Sequence, residues 1–97
     1  MKRQFSLREI EEARINNQRT LSGTSASDTI PGAKTATFFL YGVLGEDVTI
    51  TIDGTTIGVF SFDNFTHTPI RVDGTVLALS AGATSYLYYF VIEHGFN

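Results

Sequence analysis

Residues 48–54, VTITIDG, constrain the fold more than any other stretch of the chain. Apolar and polar side chains alternate strictly from Val48 to Ile52, the period of a half-buried strand. Asp53-Gly54 then supplies the dipeptide best suited to a two-residue hairpin turn with both residues at positive φ. Such a turn sets Ile52 against Thr55, Ile50 against Ile57 and Val48 against Val59, with Thr51 facing Thr56 on the other side. The pattern returns as Ile70-Arg71-Val72-Asp73-Gly74-Thr75, whose turn would oppose Ile70 to Leu77.

Two further segments read as strands, TATFFLYGV over 35–43 and SYLYYFVIE over 85–93, the latter following a turn around Gly82. About six strands at hairpin spacing, with no helix between them, predict an all-β body: a small antiparallel β-sandwich or jelly-roll-like barrel. The 97 residues suffice for one such domain. With eight Phe, four Tyr and neither Cys nor Trp, the core is aromatic and has no disulfide staples. The same count excludes thiolate zinc sites and a Cys nucleophile.

The first and last of these strands are apolar on both faces. Phe39, Tyr41 and Val43 oppose Phe38, Leu40 and Leu44, while Tyr86, Tyr88, Phe90 and Ile92 oppose Leu87, Tyr89 and Val91. An antiparallel sheet normally leaves one face wet, so something must cover the second face. A neighbouring subunit and the N-terminal segment are the candidates, and Tyr41, Tyr86, Tyr88 and Tyr89 suit a subunit contact, where aromatic side chains are enriched. The alternative is a thick core with tyrosine hydroxyls reaching water at its edge.

The chain divides into an arm (1–21), an extended or mobile connector (22–35, where SGTSASDTIPGAKT holds no aromatic) and the body (36–97). In the arm, Ser6 and Glu9 fit a capping box, Phe5 and Ile10 a hydrophobic staple, and the charges suit the helix dipole, together predicting a helix near 7–20. Its apolar stripe of Leu7, Ile10 and Ala13 is thin, so the helix needs a surface to dock on: its own body, a sister subunit or a partner. Phe5, Leu7 and Ile10 are the expected anchors.

Charge follows the same division: +2 over residues 1–34 and −5 over 35–97, where Arg71 is the one base. Three glutamates share the arm helix and the body has no basic stripe, which argues against specific nucleic-acid binding. No apolar run reaches the ~18–20 residues of a spanning helix, and MKRQFSLREIEEAR has no signal-peptide centre, so neither a membrane span nor secretion is expected.

Candidates for chemistry are sparse. Ser61, Asp63 and His67 share one loop, whereas catalytic triads assemble from distant segments. His67, His94, Asp63 and Glu93 lack metal-ligand spacing. Asp53 and Asp73 are accounted for by their turns, Asn64-Phe65-Thr66 matches a glycosylation sequon that means little without a signal peptide, and no phosphate-cradling motif occurs. A non-enzymatic protein without cofactor or metal is expected.

A small Cys-free sandwich rich in Thr and Phe, carrying a capped helix on a Ser/Thr/Gly linker, resembles the accessory proteins of phage virions: capsid cement or decoration proteins, pentons, and head–tail or fibre components. The resemblance is one of architecture and composition over the whole chain. It implies a structural protein made in the host cytoplasm and built into the virion, a homo-oligomer with a trimer favoured, joined to a capsid or tail by its arm. Deleting residues 1–22 would then leave a folded body unable to assemble. A carbohydrate-binding module, using Tyr86, Tyr88 and Tyr89 as its platform, is the alternative.

Overall fold

The computed structural model describes residues 5–60 and 64–93, with backbone alone at 33 and 64–68. One helix, α1 (Leu7–Asn16), precedes six strands: β1 (Gln18–Thr29), β2 (Ala36–Leu44), β3 (Val48–Ile52), β4 (Thr55–Phe60), β5 (Asn64–Gly74) and β6 (Val76–Glu93). Every pairing is antiparallel. The strands form one curled sheet in the order β4-β3-β6-β2-β5, with β1 along the other edge of β6.

The 18-residue β6 organises the sheet. Its first half pairs with β3 and its second half with β2, while β1 runs beside both. At the corner, β1 advances from Gly23 to Ser25 while β6 advances from Ser85 back to Ser80, so β6 carries the surplus residues of a large bulge. Bulges bend strands sharply. Here the bend is sharp enough that Arg19 and Asp28, both on β1, join by a 2.8 Å ion pair. A straight strand would hold residues nine apart at roughly 30 Å, given ~3.3 Å per residue. The two halves of the ribbon therefore face each other across the interior.

Between them lies a continuous apolar core that includes Leu21, Ile30, Phe38, Leu40, Ile50, Leu79, Leu87 and Val91. At the corner the buried Ser85 hydroxyl accepts a 3.0 Å hydrogen bond from the Glu46 amide and donates one to the Ala83 carbonyl. These bonds tie the β2–β3 loop to the bend, where surplus backbone groups need partners.

The Asp53-Gly54 hairpin forms as expected at its tip, with φ of 49° and 85° and with Ile52 opposite Thr55 and Thr51 opposite Thr56. Beyond that a bulge intervenes. Ile50 meets Gly58 rather than Ile57, and Val48 meets Phe60 rather than Val59. The slip turns Phe60 onto the core and leaves Val59 64% exposed.

Asp73-Gly74 is no hairpin turn. β5 pairs with β2, so that Ile70 lies opposite Leu40, not Leu77. Gly74 serves close approach instead: a Cβ there would sit 2.5 Å from Ile52 Cγ1 and 2.8 Å from Asp53 Oδ2. The first hairpin's turn packs onto this junction, with Asp53 Oδ1 accepting from the Thr75 and Val76 amides at 3.0 and 2.8 Å.

Two differences concern the N-terminal third. The helix stops at Asn16 rather than near residue 20, because the Asn17 amide closes it on the Ala13 carbonyl while the Asn17 side chain donates to the Val91 carbonyl of β6. From Gln18 onward, pairing with β6 outweighs another helical turn. Residues 22–29 of the expected connector are thus the second part of β1, and only 30–35 link it to β2. The strand was hidden by its Ser and Thr residues, which face outward while Leu21, Ala26 and Ile30 face the core.

Candidate functional site: the helix-covered aromatic face

The outer face of β2 and β6 carries the aromatic row. Phe39 and Phe90 are opposed in the ladder and stack at 4.7 Å between centroids, nearly parallel. Tyr41 extends the row, 6.2 Å from Phe90 and 6.4 Å from Tyr88. Residues alternate faces along a strand, so this row is the even-odd complement of the core row Phe38, Leu40, Leu87 and Tyr89.

Helix α1 covers this face within the same chain. Ser6 caps it, accepting from the Glu9 amide while the Glu9 carboxylate accepts from the Ser6 amide. Capping fixes the first turn, and the chain before it brings the Phe5 ring edge-on to Phe39 at 6.0 Å. Ala13 is buried against Phe39 and Phe90, with Phe5, Ile10, Tyr41 and Ile92 packed around them. Alanine at the contact lets the helix backbone come close to flat rings.

Charged groups frame the patch. The Arg71 guanidinium lies 4.8 Å from the Phe5 centroid and 3.6 Å from Asp73 Oδ1, which also accepts from the buried Thr37 hydroxyl. Arg14 lies 5.9 Å from the Tyr41 centroid. Each such cation–ring contact contributes about 0.5–1 kcal/mol at a partly exposed site. Arg71, the one base of residues 35–97, thus sits beneath the first turn of the arm.

Only some of the expected contact residues meet. Phe5, Ile10 and Tyr41 join the covered face; Tyr41, expected in a subunit contact, is packed under the helix of its own chain. Leu7 does not anchor the helix inward; it is 80% exposed, as is Ile15 at 73%. These two lie eight residues apart, about 80° round the helix at 3.6 residues per turn, so Leu7 flanks the docked side while Ile15 is turned away from it. Tyr86 is 41% exposed and Tyr88 half-buried. Ala13, Phe39, Phe90 and Arg71 complete the site; Ala13 belonged to the expected docking stripe and the face parity of Phe39 and Phe90 was visible in the sequence, whereas nothing in the sequence pointed to Arg71.

Tyr89 belongs to neither surface. It is 1% exposed, and its hydroxyl donates to Asp28 Oδ2 at 2.7 Å inside the curl. Burial, followed by this hydrogen bond, holds the phenol well above its usual pKa. The Arg19 guanidinium shares Asp28 and approaches Glu93 at 4.0 Å; its hydrogen bond to Asp28 raises its pKa. Tyr89, Asp28 and Arg19 form a polar rivet between the two halves of the ribbon.

Among the described residues no group of three potential ligands could hold a metal ion. Asp63 and His94 lie outside the described residues, as do Ser61 and the side chains of His67 and of the Asn64-Phe65-Thr66 sequon. Compared with known protein families, curated proteins and solved structures, the chain matches none.

Proposed function

We propose that this protein is a non-enzymatic structural component of a virion, of the capsid-stabilising, decoration or connector kind, that assembles through the outward side of its N-terminal helix. The observation that carries this reading is the two-sidedness of α1. Its inner side is already docked on Phe39 and Phe90, yet Leu7 at its flank and Ile15 beyond it remain in water. Leaving two such side chains exposed forgoes about 1.5–3 kcal/mol each relative to full burial. A contact that covers them recovers that energy, and the exposed Tyr86 adds an aromatic edge of the kind enriched in interfaces.

In this reading the curled sheet is a small sandwich or jelly-roll-like body, and the helix is displayed on it as a rigid ridge. Pre-docking the helix reduces the ordering cost of assembly compared with an arm that folds on contact. The partner is a second copy, with a trimer favoured, within a larger capsid or tail assembly.

Light scattering on the full chain and on a Leu7→Glu/Ile15→Glu double variant tests this. Both residues are exposed, so the variant should keep its circular dichroism and melting temperature. The expected result is an oligomer for the natural chain and a monomer for the variant. A natural chain that is monomeric at every concentration would contradict the reading, and a Tyr86-dependent retention on glycans would then favour a carbohydrate-binding module.

A further inference from the structure

Among the described residues the curled sheet does not close: its path ends at β4 on one side and β5 on the other, with no pairing between them. Near this gap lies a partly open cavity of about 230 Å³. Its floor is Leu40, Val43 and Leu87, all buried core residues, and its rim is formed by Phe60, Ile70 and Tyr41.

The sequence explains the space. Both ladders of β2 shift register between Leu40 and Gly42: against β6 Tyr41 is the extra residue, and against β5 the surplus lies on β5. Gly42, which follows Tyr41 and lines the cavity, brings no side chain to fill it. The slip in β4 that turns Phe60 inward supplies the opposite wall. Ile70, 43% exposed at the rim, marks the way in.

We propose that this cavity is a binding site for a small uncharged apolar molecule or group, a single aromatic ring or a short alkyl chain. Apolar cavities lined by Leu, Ile and Phe stay dry, and one of about 150 Å³ already admits benzene. The volume here exceeds that. Mouths of incompletely filled β-barrels are preferred positions for such sites. No acidic or basic side chain (Asp, Glu, Lys, Arg or His) lines the cavity among the described residues, so a carboxylate or ammonium would enter it without an ionic partner, which is strongly unfavourable. The proposal does not rest on the assembly reading: Leu40, Val43 and Leu87 belong to the inner core, and Tyr41 alone of the lining residues also borders the helix-covered face.

The test is a titration of the full chain with toluene, followed by methyl resonances of Leu40, Val43, Ile70 and Leu87. Saturable shifts confined to these methyls are expected, and they should disappear in Ile70→Phe and in Val43→Phe, which fill the cavity from rim and floor. The rim variant changes a partly exposed residue, so it remains informative if the floor variant fails to fold. Shifts that never saturate, that spread over the outer face, or that persist in folded Ile70→Phe would overturn the proposal.

Discussion

At the β3–β4 hairpin, Asp53 does two things at once. Its backbone takes the left-handed conformation that the turn requires, and its carboxylate holds the start of β6 through the Thr75 and Val76 amides. Asp53→Ala should therefore cost about 2 kcal/mol, from two lost hydrogen bonds and an unfavourable φ. Asp53→Asn, which tolerates the same backbone and keeps an acceptor, should cost less; urea denaturation of both variants measures the difference. Tyr89 has a pH signature. With its phenol pKa raised in the folded chain, both states hold the proton below the ordinary tyrosine value of about 10. Above it the unfolded chain releases the proton and the folded chain does not, so stability falls as pH rises through that range. Tyr89→Phe should lower stability at neutral pH by roughly 1–2 kcal/mol and flatten the alkaline limb of the stability–pH curve.

Among the elements, β1 changes most in meaning between sequence and structure. Its outer edge pairs with no described strand, yet its two charged residues, Arg19 and Asp28, point inward and a bulge breaks it at Gly23. Inward charges and bulges both discourage edge-to-edge pairing. Because β1 supplies Leu21 to the core and α1 covers Phe39 and Phe90, the described residues 5–22 pack against the body. Deleting them removes Leu21, a loss of the kind that costs 2–5 kcal/mol, and uncovers the aromatic row as well. The expected outcome is a chain without a cooperative melting transition, seen by circular dichroism; a truncated chain that melts as sharply as the whole would contradict this. The hairpin tip, the capped helix and the two-faced strands were legible because each rests on local chemistry or face parity. The Ser/Thr strand was not, since its pairing is decided by β6, far away in sequence. Nor was the role of Gly74, because the same Asp-Gly dipeptide serves a turn at one site and makes room for the Ile52 and Asp53 side chains at the other.

For the whole molecule, one long bent strand lets a chain of 97 residues bury two apolar layers: an inner core within the curl, and an outer row sealed by its own helix. The helix is committed inward to the sheet, while Leu7 and Ile15 stay exposed and are the residues through which we propose assembly. The most direct test of that claim is isotope-filtered NMR on a mixture of labelled and unlabelled chains. It records whether the Phe5–Phe39 and Ala13–Phe90 contacts lie within a chain or between chains. The account predicts that these contacts are intramolecular, with any intermolecular contacts confined to Leu7, Ile15 and Tyr86. Phe5–Phe39 contacts that occur only between chains would contradict it.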